Sequence, residues 1–199
     1  LYLLNIIGFG LNMDVINDTC KMAGIERLTP DNIDVNDEEV WKSMTESTMG
    51  IFQFESETAF SYVKELFSDK TLNKIKEDIG DIDYITLLSM ANGAIRPAGE
   101  SYRNLLSEGV VNDNGHEALN ELLKSNLGYL IFQEDILKFL TEFCNHTGSE
   151  ADNVRRGFAK KTGTEQFIPK IREGFIKTMK EKYNEPEDVS KEILEKFLN

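Results

Sequence analysis

Apolar residues recur along most of this chain at three- and four-residue intervals, the spacing that turns one face of an α-helix toward a core. Phe60, Val63 and Phe67 do so behind Ser56. Ile136, Leu137, Phe139, Leu140 and Phe143 form a broad stripe after Gln133, and Phe167, Ile168, Ile171, Phe175, Ile176 and Met179 form another. The pattern predicts helices over 12–23 (Asn12 as cap, Gly24 beyond the end), 57–67, 71–79, 83–91, 101–107, 116–124, 133–144 and 164–183. It adds a short one after Asn36 or Asp37, one opening at Ser149, and a last one near Pro186. Ser149 with Asp152 three residues on reads as a capping box. Residues 1–9 are different. They are apolar, carry the β-branched pair Ile6-Ile7 and end at Gly8 and Gly10, which predicts a short strand paired outside this sequence. The expected fold is mainly α: a multi-helix domain over 36–199, preceded by an end segment and connection over 1–35 with a short N-terminal strand.

Four stretches interrupt the helical pattern. In Thr48–Ser56, Phe52 and Phe54 alternate with Gln53 and Glu55; the aromatics are expected in the core, whereas the two polar residues have no packing reason. Pro97 pushes Arg96 out of the helical region, so Arg96 sits on a rigid turn, either pointing into a cleft or tying down a neighbouring loop. Val110–His116 reads as a polar loop of the kind that tolerates insertion, with His116 at the surface. The apolar run from Leu127 ends abruptly at Gln133-Glu134-Asp135. Trp41 is expected in the core.

Charge sharpens this picture. The chain has 199 residues, is 40% hydrophobic and carries a net charge of −13. That balance argues against tight autonomous DNA binding, because the phosphates of DNA would be repelled. Yet 154–182 holds nine Lys/Arg against three Glu, a balance of +6, and leaves −19 for the remainder. Cys20 and Cys144 form no CxxC or Cys/His cluster, which fits reduced thiols in a cytoplasmic protein. No apolar run approaches the roughly 20 residues of a membrane span, and no signal peptide is visible. The first residue is Leu rather than Met, and the sequence reads as an excerpt of a longer polypeptide.

Within the basic strip, Arg155, Arg156, Lys160 and Lys161 place four cations in seven residues, with the small Gly157 and Ala159 between them. On a helix they fall on adjoining faces. The arrangement suits a close-approaching polyanion such as a triphosphate or a nucleic-acid backbone. A solvated helix face is the plainer reading of the same run.

The order Gly50-Ile-Phe-Gln-Phe-Glu-Ser56, Ile95-Arg-Pro-Ala-Gly99, Gly128-Tyr-Leu-Ile-Phe-Gln-Glu-Asp135 and Ala151-Asp-Asn-Val-Arg-Arg-Gly-Phe-Ala-Lys-Lys161 resembles the bacterial replicative DNA polymerases of family C, the alpha subunits of DNA polymerase III. The resemblance covers nearly the whole chain and corresponds to the end of the palm and most of the fingers. It implies a fingers-type helical domain in which Arg155, Arg156, Lys160 and Lys161 bind the triphosphate of the incoming dNTP. Arg96 and Gln133 would line the nucleotide pocket, with Gln53, Glu55, Glu134 and Gly157 in support. The N-terminal strand would be a remnant of the palm. Departures accompany the match: Phe132 replaces a tyrosine, the second proline after Arg96 is absent, and Ile7 stands where the third palm aspartate belongs. The resemblance implies Mg2+ in the full-length parent, held by palm aspartates rather than by this excerpt. The expected partners are dNTP, primer–template DNA, the rest of the polymerase chain and replisome subunits, with no membrane. The excerpt alone is not expected to polymerise DNA. Two other readings stand beside this one: a non-catalytic, polymerase-derived interaction module, and an unrelated helical phosphate- or RNA-binding domain.

Overall fold

Local side-chain caps fix where several helices begin. Ser56 Oγ accepts from Ala59 N–H at 3.3 Å, Ser68 Oγ from Thr71 N–H at 3.3 Å, and Asp83 Oδ1 from Thr86 N–H at 3.0 Å. Each satisfies a donor that the first helical turn cannot bond internally. The computed structural model describes residues 2–29, 31–160 and 164–198; the side chains of 2–12, Ala98, Ala159, Lys160 and Thr164 lie outside the described set. Eleven α-helices are described: α1 Tyr2–Ala23, α2 Glu38–Ser43, α3 Glu57–Leu66, α4 Asp69–Ile79, α5 Tyr84–Ala94, α6 Arg103–Ser107, α7 Glu117–Leu122, α8 Gln133–Glu142, α9 Gly148–Lys160, α10 Ile168–Tyr183 and α11 Glu187–Leu198. Short 3-10 turns occur at Pro97–Gly99, Lys124–Asn126 and Thr164–Gln166. The fold is mainly α, with no strand among the described residues.

The chain divides into two compact units, Leu1–Glu38 and Glu39–Asn199. The first contains α1, and here the strand expected over 1–9 is corrected to helix from Tyr2 onward, Leu1 lying outside the described residues. An unbroken apolar run does not distinguish a buried strand from a helix. A helix satisfies its own N–H and C=O groups, whereas a strand needs a neighbour. Gly8 and Gly10 are absorbed without ending the helix, and Ile7 falls inside it. After Gly24 (φ +67°), the Asn32 side chain ties the following turn, accepting from Thr29 N–H and donating to the Arg27 carbonyl.

The second unit holds two hydrophobic clusters. One gathers α2–α6, with Trp41 stacked against Phe67 and Tyr84 at centroid distances of 5.9 and 5.6 Å. The other gathers α7–α11 around Phe139, Phe143, Phe175 and Phe197. Residues 127–132 run between them. Leu127 and Tyr129 enter the first cluster, Leu130 packs on the second, and Ile131 and Phe132 return to the first. This alternation delivers Gln133 to the start of α8 at the junction of the two cores.

Three local expectations change. Phe54 is buried but Phe52 is 62% exposed. Gln53 adopts φ +71°, so residues 52 and 54 do not share one strand-like face. The 110–116 loop is knitted rather than loose: Asn114 is buried, its N–H and side-chain amide both donate to Asn120 Oδ1, and both Asn112 and Asn114 donate to the Gly128 carbonyl. His116 caps α7 through Nδ1, packs edge-on against Tyr183 and is 13% exposed in its side chain, so it is half-buried with a structural role rather than an ordinary surface residue.

The cap of α9 also shifts. Thr147 Oγ1 accepts from Glu150 N–H, and Glu150 Oε2 accepts from Thr147 N–H at 2.9 Å, so the box is Thr147/Glu150 and not Ser149/Asp152. Thr147→Ala is expected to cost about 1 kcal/mol by chemical denaturation. The hydrogen bond from Lys170, then that from Thr147 N–H, hold the Glu150 carboxyl down at about 2 against an ordinary 4.5. A carboxyl whose pKa is lowered by folding contributes its full stabilisation above the unfolded value and loses it as pH falls through the folded one. Protection of the α9 amides from exchange is therefore expected to hold down to about pH 4.5 and to fall toward pH 2. Glu150→Gln is expected to flatten that dependence.

Candidate functional site

Arg96, Gln133 and Glu134 share one cleft of about 590 Å³, lined also by Asn92, Tyr102 and Phe132. Its walls come from the end of α5, the turn after it and the start of α8. Arg96 is placed by a second arginine. Arg103 Nε donates to the Ala94 carbonyl at 2.6 Å and its Nη2 to the Arg96 carbonyl at 2.9 Å, so the backbone turn is held from behind. Arg103 thus holds the turn that carries Arg96, while Arg96 combines the two roles considered for it: it lines the cleft and reaches the neighbouring 48–56 turn. The exposed Arg96 guanidinium reaches Asn92 Oδ1 and Gln53 Oε1, each at 3.5 Å, the outer limit of a hydrogen bond.

Gln133 is the first residue of α8. The turn before it is fixed by Asp135, which accepts from Phe132 N–H at 3.1 Å and from Asn126 Nδ2 at 2.6 Å. Burial pushes the Asp135 carboxyl above its ordinary range, and the Phe132 N–H partly offsets this. On its other side Gln133 meets α9: Arg155 Nη1 donates to Gln133 Oε1 at 2.6 Å.

Arg155 and Arg156 converge on one carboxylate. Asp152 Oδ1 accepts from Arg155 Nε at 3.0 Å and Nη2 at 2.7 Å, and Oδ2 forms an ion pair with Arg156 Nε at 2.7 Å. The Arg155 hydrogen bonds, and then the Arg156 charge, hold the Asp152 carboxyl below its ordinary range. The two cations differ in exposure, 21% for the Arg155 side chain and 66% for Arg156. The structure thus links Gln53, Arg96, the cleft, Gln133, Arg155, Asp152 and Arg156 in one continuous sequence of polar groups.

Other candidate residues fall elsewhere. The side chain of Lys160, which closes α9, and the whole of Lys161 lie outside the described residues. Glu55 accepts from Gly50 N–H at 3.1 Å and braces its own turn. Gly157 is small for a packing reason: a Cβ there would stand 2.5 Å from Phe167 Cε2. The basic strip is not a single face. Lys170 pairs with Glu150, Arg172 lies 3.7 Å from Glu195, and Lys182 sits over the Phe143 and Tyr183 rings. Sequence reasoning missed Asp152 as the partner of both arginines, although its spacing of three and four residues from them was a usable signal. It also missed Asn92, four residues before Arg96, and Arg103.

The family model described as the bacterial DNA polymerase III alpha subunit finger domain matches residues 12–77 and 96–183. The chain belongs to this family. Among curated proteins, the DNA polymerase III subunit alpha of Staphylococcus aureus (strain COL) is 27% identical over 186 residues, covering 92% of this chain and 16% of the relative. That of Caulobacter vibrioides (strain NA1000 / CB15N) is 30% identical over 149 residues, covering 74% of this chain and 12% of the relative. The chain therefore spans less than a fifth of the length of these polymerase subunits. The matched finger-domain segments include every residue of the polar sequence described above except Asn92, which falls in the unmatched stretch with the whole of α5. Among the described residues no helix is long and apolar enough to cross a membrane.

Proposed function

We propose that this chain is the part of a cytoplasmic DNA-directed DNA polymerase that grips the incoming dNTP and contacts the template during nucleotidyl transfer. The observation that carries the reading is the convergence of Arg155, Arg156 and Gln133 beside the cleft that also holds Arg96. Phosphoryl transfer spreads negative charge over the phosphate oxygens, and fixed cationic donors stabilise it without reorganising at the moment of reaction. Guanidinium groups supply paired N–H donors to phosphate oxygens; Lys160 and Lys161 would add point charges. Arg96 and Gln133 would contact the nucleoside, and Gln53 would support Arg96. Carboxylates of the parent polymerase, rather than residues of this chain, would hold Mg2+, which would supply Lewis-acid chemistry at the attacking hydroxyl. The binding partners are dNTP, primer–template DNA, the remainder of the polymerase and its replisome subunits.

Calorimetric titration of a dNTP in the presence of primed DNA tests this. Arg156→Ala is expected to weaken binding by about 1.5–3 kcal/mol, the range for a hydrogen bond to a charged group. Equal heats for wild type and an Arg155→Ala/Arg156→Ala pair would remove the site. Ile7, which the resemblance alone sets where a palm aspartate would stand, favours a second reading: a polymerase-derived interaction module without catalysis. Primer extension by the full-length parent separates the two.

A further inference from the structure

The two arginines are not equivalent, and the difference lies in how each is held. Asp152 sits three residues before Arg155 and four before Arg156, so one carboxylate reaches both guanidiniums on the same helix. Arg155 meets it side-on with two N–H groups and has a second anchor in Gln133 Oε1. Arg156 meets it through Nε alone and is largely exposed. An exposed single-pronged pair is weak and exchangeable, whereas a partly buried guanidinium with two anchors is not.

Resting on the nucleotide-site reading above, we infer that Asp152 divides the arginines between separate jobs: it fixes Arg155 as a positioning residue that holds Gln133 at the cleft, and it serves Arg156 as an internal stand-in for phosphate, released when a polyphosphate arrives. The carboxylate oxygens occupy the guanidinium edges that phosphate oxygens would use. With Asp152 in place the empty site does not present two open cations to every passing anion, which is how a competing internal group confers selectivity. Gln133, exposed at a helix start, would lose its fixed rotamer without Arg155, and an ordered amide in the cleft is what orients a ligand there.

Asp152→Asn in the intact chain tests both halves, because it keeps the shape and removes the charge. In ligand-free 15N spectra the Gln133 side-chain amide is expected to shift in Asp152→Asn and to stay in place in Arg156→Gln. On titration with inorganic tripolyphosphate, the Arg156 Nε–H resonance of the wild type is expected to move while that of Arg155 stays. Asp152→Asn is expected to bind tripolyphosphate about threefold tighter, the scale of an exposed ion pair removed from competition. Glu150→Gln removes an equal charge two residues away and is expected to leave that affinity unchanged. An unmoved Gln133 amide, equal or weaker tripolyphosphate binding by Asp152→Asn, or no tripolyphosphate binding by either protein overturns the inference. If a dNTP binds no tighter than tripolyphosphate while the other results hold, the nucleotide reading fails and the division of roles stands.

Discussion

Phe175→Ala is expected to lower the stability of this finger domain by about 3–5 kcal/mol, the usual range for truncating a large aromatic in a packed core. Phe175 has no solvent exposure and lies 5.9 Å from Phe139 and 6.5 Å from Phe143, ring centre to ring centre. Its neighbour in the helix, Gly174, lets α10 approach the Cys144 backbone so closely that a Cβ would collide with the Cys144 carbonyl. Main chain pressed on main chain cannot settle inward to fill the void, so the cavity term should appear nearly in full. Urea unfolding monitored by far-UV circular dichroism measures the loss. Phe52→Ala is the control: at 62% exposure it is expected to change stability by no more than about 0.5 kcal/mol. Similar losses for the two would mean that the second cluster is not a close-packed core.

What the sequence reveals about this fold is what local rules decide. Stripes at helical spacing and hydroxyl or carboxyl caps need only a few neighbouring residues, and α3, α8 and α10 were legible for that reason. Residues 1–9 were not, because an apolar run without alternation carries no period that separates strand from helix. The start of α9 shows a finer failure. Thr147/Glu150 and Ser149/Asp152 are overlapping copies of one capping pattern, and propensity does not choose between them. The choice is made by Asp152, which is drawn to Arg155 and Arg156. Glu150 reaches both the cap and Lys170, twenty residues on.

The candidate site was legible in part. The cations and Gln133 stand out as polar residues without a packing role, but their arrangement depends on contacts that no local window contains. Gln133 meets Arg155 across 22 positions and Arg96 meets Gln53 across 43. Gly157 illustrates the opposite error. A small residue among cations suggests room for a ligand, while the structure gives that room to Phe167. A net charge of −13 likewise says little about the site, since a shared carboxylate and unequal exposure set the local balance at Arg155 and Arg156.

Gly128→Ala should have the second large effect, and it should reach the cleft. Gly128 adopts φ +81°, and a Cβ there would run into the Asn112 carbonyl. The left-handed backbone alone costs a non-glycine residue about 1–2 kcal/mol, and forcing a group into filled space adds about 1–3 kcal/mol. A combined loss of about 2–5 kcal/mol is expected. Gly50→Ala isolates the first part, because Gly50 has φ +81°, as Gly128 does, with nothing within 4 Å of a built Cβ; it should lose only about 1–2 kcal/mol. The difference between the two is the clash with Asn112. That clash matters to function because the Gly128 carbonyl anchors Asn112 and Asn114, and the five residues after Gly128 carry the chain to Gln133. Displacing Gly128 should therefore move Gln133 relative to Arg155 and Arg96, visible as a shift of the Gln133 side-chain amide that Gly50→Ala does not produce. Equal losses for the two variants would show that the chain at 112 yields freely, and the turn at 128 would then not be what fixes the approach to the cleft.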